Sequence, residues 1–350
     1  MIKSKIFVIF VAILVIAVAA AIAFWPSSDN NRGWYAWDPI VGQVDHTRIS
    51  ASPKIIDVIE DMYRIVYGDL PQRQTAPADF MPFPSLVEHT ADGIIIHGAL
   101  RSLAGPEIST PVSFTHEEIE NMRVITYGLG FTDTFIQIFE DREESVWDVV
   151  VASGNSTWNV HGQNMQGSNL GSEWTINFDA LNAFLMSREG AADETFCLIV
   201  WGFITNYDAF KESLYDAGYT NVRILSIDYY AITSMESFLS VIDALGQLVG
   251  VSTEDNGAIT DFQDRLFTIT NSLAGSEPLT VYMELDALGR SPGSDTFTQL
   301  CFDVLNLQNI NEMPGTNIFS REMVVTSEPD VIFFNIRDAR TLNQKMRVTT

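Results

Sequence analysis

Two unbroken apolar runs, Phe196-Cys197-Leu198-Ile199-Val200-Trp201 and Val331-Ile332-Phe333-Phe334, limit the architectures open to this 350-residue chain. A strand with one wet face alternates apolar and polar side chains. A strand covered on both faces does not, and parallel sheets are built from such strands. The neighbouring sequence agrees. Met122 to Tyr127 reads as a strand, Gly128-Leu129-Gly130 breaks it, and a helix follows from Thr132 to Glu140. Val146 to Ala152 is a second strand. The run from Phe196 is followed by a helix from Tyr207 to Asp216, with Gly218 placed to end it, and by a strand from Val222 to Ile227. Later, Thr280 to Met283 reads as a strand, Thr296 to Leu307 as a helix, and Val331 to Asn335 as a strand. This alternation predicts α/β architecture with parallel sheets and right-handed crossovers.

Two long helices interrupt it. Thr233 and Glu236 have the spacing of a capping box, and Phe238, Ile242, Leu245 and Val249 share one face before Gly250. At 1.5 Å per residue this helix spans roughly 24 Å, enough to bridge two lobes. A second helix, from Glu254 to Leu273, carries Ile259, Phe262, Leu266, Ile269 and Leu273 as one stripe. The expected plan is therefore an N-lobe at 119–232, an interlobe helix at 233–250 and a C-lobe at 251–350. Residues 29–118 read as an extension packed on the main body, with a helix from Pro53 to Tyr67 and a strand-like run Gly93-Ile94-Ile95-Ile96-His97.

Lys3 and Lys5 precede an uncharged run from Ile6 to Trp25, which ends at Pro26 and a polar stretch. About 20 apolar residues match the hydrocarbon thickness of a bilayer. The lysines orient the N-terminus inward and the body outward. Ala21-Ile22-Ala23 also fits a cleavage site, so residues 1–28 are a signal anchor or a signal peptide, and both export the body. No cysteine stands there for lipid attachment. With 20 Lys and Arg against 45 Asp and Glu, the net charge is −25, which repels phosphate backbones and argues against nucleic-acid binding. The two cysteines, Cys197 and Cys301, have no metal-binding spacing and read as small core residues. Of the five histidines, His46, His89, His97 and His116 lie in the extension and only His161 lies in a lobe, too few to converge on a bare transition metal. No resident metal or cofactor is expected. The sequence contains no G-x-S-x-G, no H-E-x-x-H and no P-loop.

Several phrases, taken in order, carry a resemblance. Met122-Arg123-Val124-Ile125-Thr126-Tyr127-Gly128 opens the first lobe. Asn177-Phe178-Asp179-Ala180-Leu181 starts a helix ahead of the Phe196 strand. Lys211-Glu212-Ser213-Leu214 with Ala217-Gly218 ends another, and Thr233 to Gly250 forms the bridge. Val281-Tyr282-Met283-Glu284, Pro292-Gly293-Ser294-Asp295-Thr296-Phe297, and Ser320-Arg321-Glu322 followed by Glu328-Pro329-Asp330-Val331-Ile332 follow in the second lobe. Over residues 121–336 the chain resembles the class III periplasmic binding proteins of ABC importers, the iron-siderophore, haem and cobalamin type. That resemblance implies two Rossmann-like lobes joined by one rigid helix, no catalytic activity, and a bulky ligand passed to a permease dimer and its ATPase. It also implies docking through one carboxylate per lobe, Asp179 and Glu322. Relatives continue for several tens of residues past the strand ending at Asn335, whereas 15 residues remain here. A trimmed second lobe or a fragment is expected.

In open α/β lobes ligands bind outside the carboxyl ends of the strands. The candidates there, drawn from the facing ends of both lobes, are Tyr127, Trp158, His161, Trp201, Tyr230, Glu284 and Arg290. Aromatic rings suit a macrocycle or a siderophore scaffold, although each also fits ordinary core or rim. Arg290 reads as an anion partner or a solvated arginine, and Glu284 as a ligand contact or a helix cap. The rival functions are a surface receptor or sensor ectodomain without an importer, and an enzyme on paired lobes.

Overall fold

The computed structural model describes residues 39–44, 52–98, 100–102, 111–154, 159–160, 163–164, 168–171, 176–188, 194–202, 212–214, 216–219, 221–227 and 232–335. The chain divides into two compact units, Met1–Pro39 and Ile40–Thr350. Only Pro39 of the first is among the described residues, so the apolar segment Ile6–Trp25 lies outside them. Among the described residues no helix is long and apolar enough to cross a membrane.

The second unit opens with β1 (Ile40–Val44) and α1 (Ile55–Tyr67). Strands β2 (Val87–His89), β3 (Gly93–Ile96), β4 (Leu100–Ser102) and β5 (Val112–Thr115) follow, with β2, β3 and β5 forming an antiparallel sheet. Helix α2 (His116–Glu120) begins at a capping box in which the Thr115 and Glu118 side chains reciprocate. The first α/β half then runs β6 (Met122–Tyr127), α3 (Leu129–Ile138), the single turn α4 (Val146–Val149), β7 (Val150–Ser153), a small hairpin of β8 (Asn159–Val160) and β9 (Gln163–Asn164), β10 (Ser168–Asn169), α5 (Phe178–Ser187), β11 (Thr195–Trp201) and β12 (Val222–Ile227). Helices α6 (Met235–Leu248) and α7 (Gly257–Ser272) lead to the second half: β13 (Leu279–Glu284), β14 (Arg290–Pro292), α8 (Phe297–Val304), β15 (Leu307–Asn309), β16 (Thr316–Ile318), α9 (Arg321–Ser327) and β17 (Val331–Asn335).

With insertions set aside, the halves repeat one another. The units β6–α3–β7–α5–β11 and β13–α8–β15–α9–β17 are both βαβαβ. Their sheets read β7-β6-β11 and β15-β13-β17, and every pairing among these strands is parallel. In each, the order reverses beside the first strand, so the topological switch point lies between the first and third strands. The equivalence extends one strand further. Beyond β11 lies β12, parallel to it; beyond β17 lies β1, also parallel, with Ile40 opposite Val331 and Val44 opposite Asn335.

The expectation that residues 29–118 form an extension packed on the main body is corrected at two strands. β1 belongs to the second sheet, and β4 borders the first, antiparallel to β12. The strand Ile-Val-Gly-Gln-Val was invisible because it is short and interrupted by Gly42, whose missing side chain is needed by its partner helix. A Cβ there would stand 2.5 Å from an Ile65 methyl.

Alternation along the strands separates two faces. In the first sheet Met122, Val124, Cys197, Ile199, Leu225 and Ile227 face one way, and Ile125, Tyr127, Phe196, Leu198, Val200 and Ile224 face the other, against Leu181, Phe184 and Leu185 of α5. The first set belongs to the same core as Val281, Met283, Val331 and Phe333 of the second sheet, together with residues of α1, α3, α6, α7 and α8. The two sheets thus share a central helical layer. This changes the expectation for the bridge. Helix α6 begins after Ser234, whose side chain reciprocates with Ser237, in place of the Thr233–Glu236 cap. It has 14 residues, about 21 Å, and 12 of them are buried, so it is a core helix rather than a rod with one covered stripe. Helix α3 starts directly after Gly128, three residues before the expected Thr132, and the expected strand at Val146 begins with the turn α4.

Candidate functional site at the strand ends

At the first switch point, β6 ends at Tyr127 and β11 at Trp201. Gly128 links β6 to α3 with φ +139°, a conformation that L side chains rarely adopt. A Cβ on it would lie 3.1 Å from Trp201 Nε1 and 3.2 Å from the Phe131 ring. The Trp201 and Phe131 rings pack at 4.4 Å between centroids. Trp201 is half-buried and caps the glycine turn at the sheet's carboxyl edge.

Tyr127 is not the rim aromatic that the sequence suggests. It is the fifth residue after Met122, so strand alternation turns it with Ile125 onto the face covered by α5, where it is 0% exposed. Its hydroxyl has no hydrogen-bond partner among the described residues, and burial pushes its pKa well up.

The second switch point lies between the ends of β13 and β17. Glu284, last in β13, holds the position that Tyr127 holds in β6, and it too is buried, at 2% exposure. Alternation places it beside Tyr282, which donates from its hydroxyl to Glu284 Oε2 at 3.4 Å. A side chain covered in this way is not an open ligand contact. Asn335, the equivalent of Trp201, donates from Nδ2 to the Leu285 carbonyl at 3.2 Å and ties the two strand ends together. Its sequence signal was available: it is the polar residue that closes an apolar run. Arg290 lies on β14, exposed, and its guanidinium pairs with the Asp286 carboxylate four residues earlier. Although some burial opposes it, this arginine and the backbone N–H groups of Arg290 and Leu288 hold the Asp286 carboxyl below its ordinary value. Arg290 is thus engaged within its own turn. Trp158, His161 and Tyr230 lie outside the described residues.

Asp179 and Glu322 occupy matching places. Asn177 caps α5 by accepting from the Ala180 N–H, and Ser320 caps α9 by accepting from the Met323 N–H. Each carboxylate is the second residue of its helix, and both are exposed. Each helix leads into the third strand of its βαβαβ unit.

A separate polar groove of about 500 Å³ opens beside β15 and α8 of the second half, lined by residues that include Gln299, Asp303, Asn309, Asn311 and Glu312. Among the described residues no three His, Cys, Asp or Glu side chains gather to hold a metal ion.

No protein-family profile and no curated relative matches this chain. Solved structures similar to it include a periplasmic solute-binding protein from Veillonella parvula, at 16% identity and TM-score 0.48, aligned over 68% of this chain and 70% of that one. A periplasmic heme-binding protein from Pseudomonas aeruginosa aligns at 16% identity and TM-score 0.47, over 65% and 76%. A periplasmic vitamin B12 binding protein of Vibrio cholerae aligns at 18% and 0.43, over 61% and 76%.

Proposed function

We propose that this chain is an extracytoplasmic substrate-binding protein of an ABC importer, exported and held at the membrane by its N-terminal segment. Its two Rossmann-like halves would take a bulky ligand of the iron-siderophore, haem or corrinoid kind at their strand ends and deliver it to the permease. One observation carries this reading: Asp179 and Glu322 are topologically equivalent, each the second residue of a capped helix that feeds the third strand of its half, and both are exposed. A pair of acids placed alike on two halves suits a two-subunit partner bearing basic sockets. Trp201 at the first switch point supplies an aromatic surface for ligand. An acid in a helix's first turn also complements the helix dipole, a local role that a sensor ectodomain of the same fold would share.

The test separates these roles. Asp179→Lys with Glu322→Lys should abolish uptake in cells while leaving ligand affinity of the purified protein unchanged, read by absorbance after gel filtration with cobalamin, haem and ferric siderophores. Unchanged uptake would overturn docking through these acids. Failure of every ligand to co-elute would overturn the proposed cargo.

A further inference from the structure

The C-terminal part of α6 carries a polar stripe inside the shared core. Asp243, Gly246 and Gln247 are three and four residues apart and so lie on one helix face. The link from α6 to α7 folds back over that face. Asp243 is 1% exposed, Gln247 8% and Asn256 0%. Gln247 Nε2 donates to Asp243 Oδ2 at 2.8 Å and to Thr253 Oγ1 at 3.2 Å. The Asn256 amide rests over Gly246, its Nδ2 2.7 Å from where a Cβ would stand. Asp243 Oδ1, Gln247 Oε1 and both amide atoms of Asn256 are buried and have no hydrogen-bond partner among the described residues.

Buried polar groups are normally satisfied, so this set calls for an occupant. Its chemistry is one-sided: three oxygens and a single donor, with one formal negative charge from Asp243. The stripe also sits at the C-terminal end of α6, where the helix dipole is negative. Burial pushes the Asp243 carboxyl up, opposed by hydrogen bonds from Thr253 and Gln247 and by His89 on β2, and among the described residues no lysine or arginine is there to offset it. A water molecule would bring two donors to three acceptors and leave the charge in place. A hard cation is bound by carboxylate and carboxamide oxygens alone. Charge matching selects its valence, because one carboxylate neutralises a monovalent ion whereas a divalent ion would leave a positive charge buried.

We propose that Asp243, Gln247 and Asn256 bind a monovalent cation of sodium type at the α6–α7 joint, with exposed Thr253 at its mouth. The cation locks the link between the halves against the core. The site is independent of the transport reading and of the strand-end residues.

The test is thermal unfolding of the full-length chain with sodium exchanged for choline at constant ionic strength. The midpoint should rise with the logarithm of sodium concentration, by roughly 3 °C per tenfold increase above the dissociation constant. Asp243→Asn should abolish the response. Gly246→Ala should weaken it by displacing the Asn256 amide, without touching the carboxylate. Broadening of the sodium NMR line by the unmodified protein gives a readout that needs no variant. Equal midpoints in sodium and choline with an unbroadened line would mean that water fills the site and would overturn the proposal, as would a response to calcium alone.

Discussion

Gly128 is the residue on which the first switch point turns. Its positive φ and the contacts waiting for a Cβ make Gly128→Ala doubly unfavourable, strained in backbone and pressed against Trp201 and Phe131. The expected loss is about 1–3 kcal/mol of stability, with altered Trp201 fluorescence, measured by urea unfolding. A variant as stable as the parent would show that the turn relaxes freely. Burial of Tyr127 and Glu284 makes a related point. A residue type at a strand's end was readable from the sequence. Which face it turned to, and whether that face was covered, was not.

At the scale of elements, charged clusters join segments far apart in the chain. Arg265 of α7 donates to Asp57 at 2.6 Å and to Glu60 at 2.7 Å on α1, with its side chain 16% exposed. Arg265→Met removes from Asp57 and Glu60 the cation they share, leaving Glu60 with Arg64 at 3.5 Å. It should cost about 1–3 kcal/mol in urea unfolding, and Asp57→Asn with Glu60→Gln in the same chain should recover part of the loss. Helix α2 offers a pH test. Burial pushes the Glu118 carboxyl up, but the Thr115 N–H and Arg223, 2.6 Å away, outweigh it and hold the value below normal. A depressed carboxylate stabilises the fold fully above its unfolded value, about 4.3, and loses that contribution as pH falls through the lower folded value. Glu118 is partly exposed, so the effect is about 1 kcal/mol after solvent screening. Glu118→Gln should therefore match the parent in strong acid and fall below it near neutrality.

For the molecule as a whole, β1 and α1 decide whether the second half has a finished sheet. Ile55, Ile56, Val58, Ile59 and Met62 are all buried in the shared core. At about 2 kcal/mol each, their burial is comparable to the entire stability of an ordinary domain. A chain beginning at residue 119, the expected start of the first lobe, should lack a cooperative unfolding transition by circular dichroism. If it folds, β1 and α1 are dispensable. Because one core spans both sheets, the halves of the longer chain should unfold together.

The amino-acid sequence alone determined the elements whose signals are local. Apolar runs marked β11 and β17, three- and four-residue spacing marked α1, α6 and α7, and Asn177 started α5. These follow from backbone periodicity and from the need to satisfy the first N–H groups of a helix. Only the tertiary structure decided that β1 completes the second sheet, that α6 is buried on nearly all sides, and that Tyr127 and Glu284 lie under cover. The β1–β17 pairing joins residues from opposite ends of the chain, and Tyr127 is covered by α5 of its own half; contacts between separate elements leave no periodic trace in either partner.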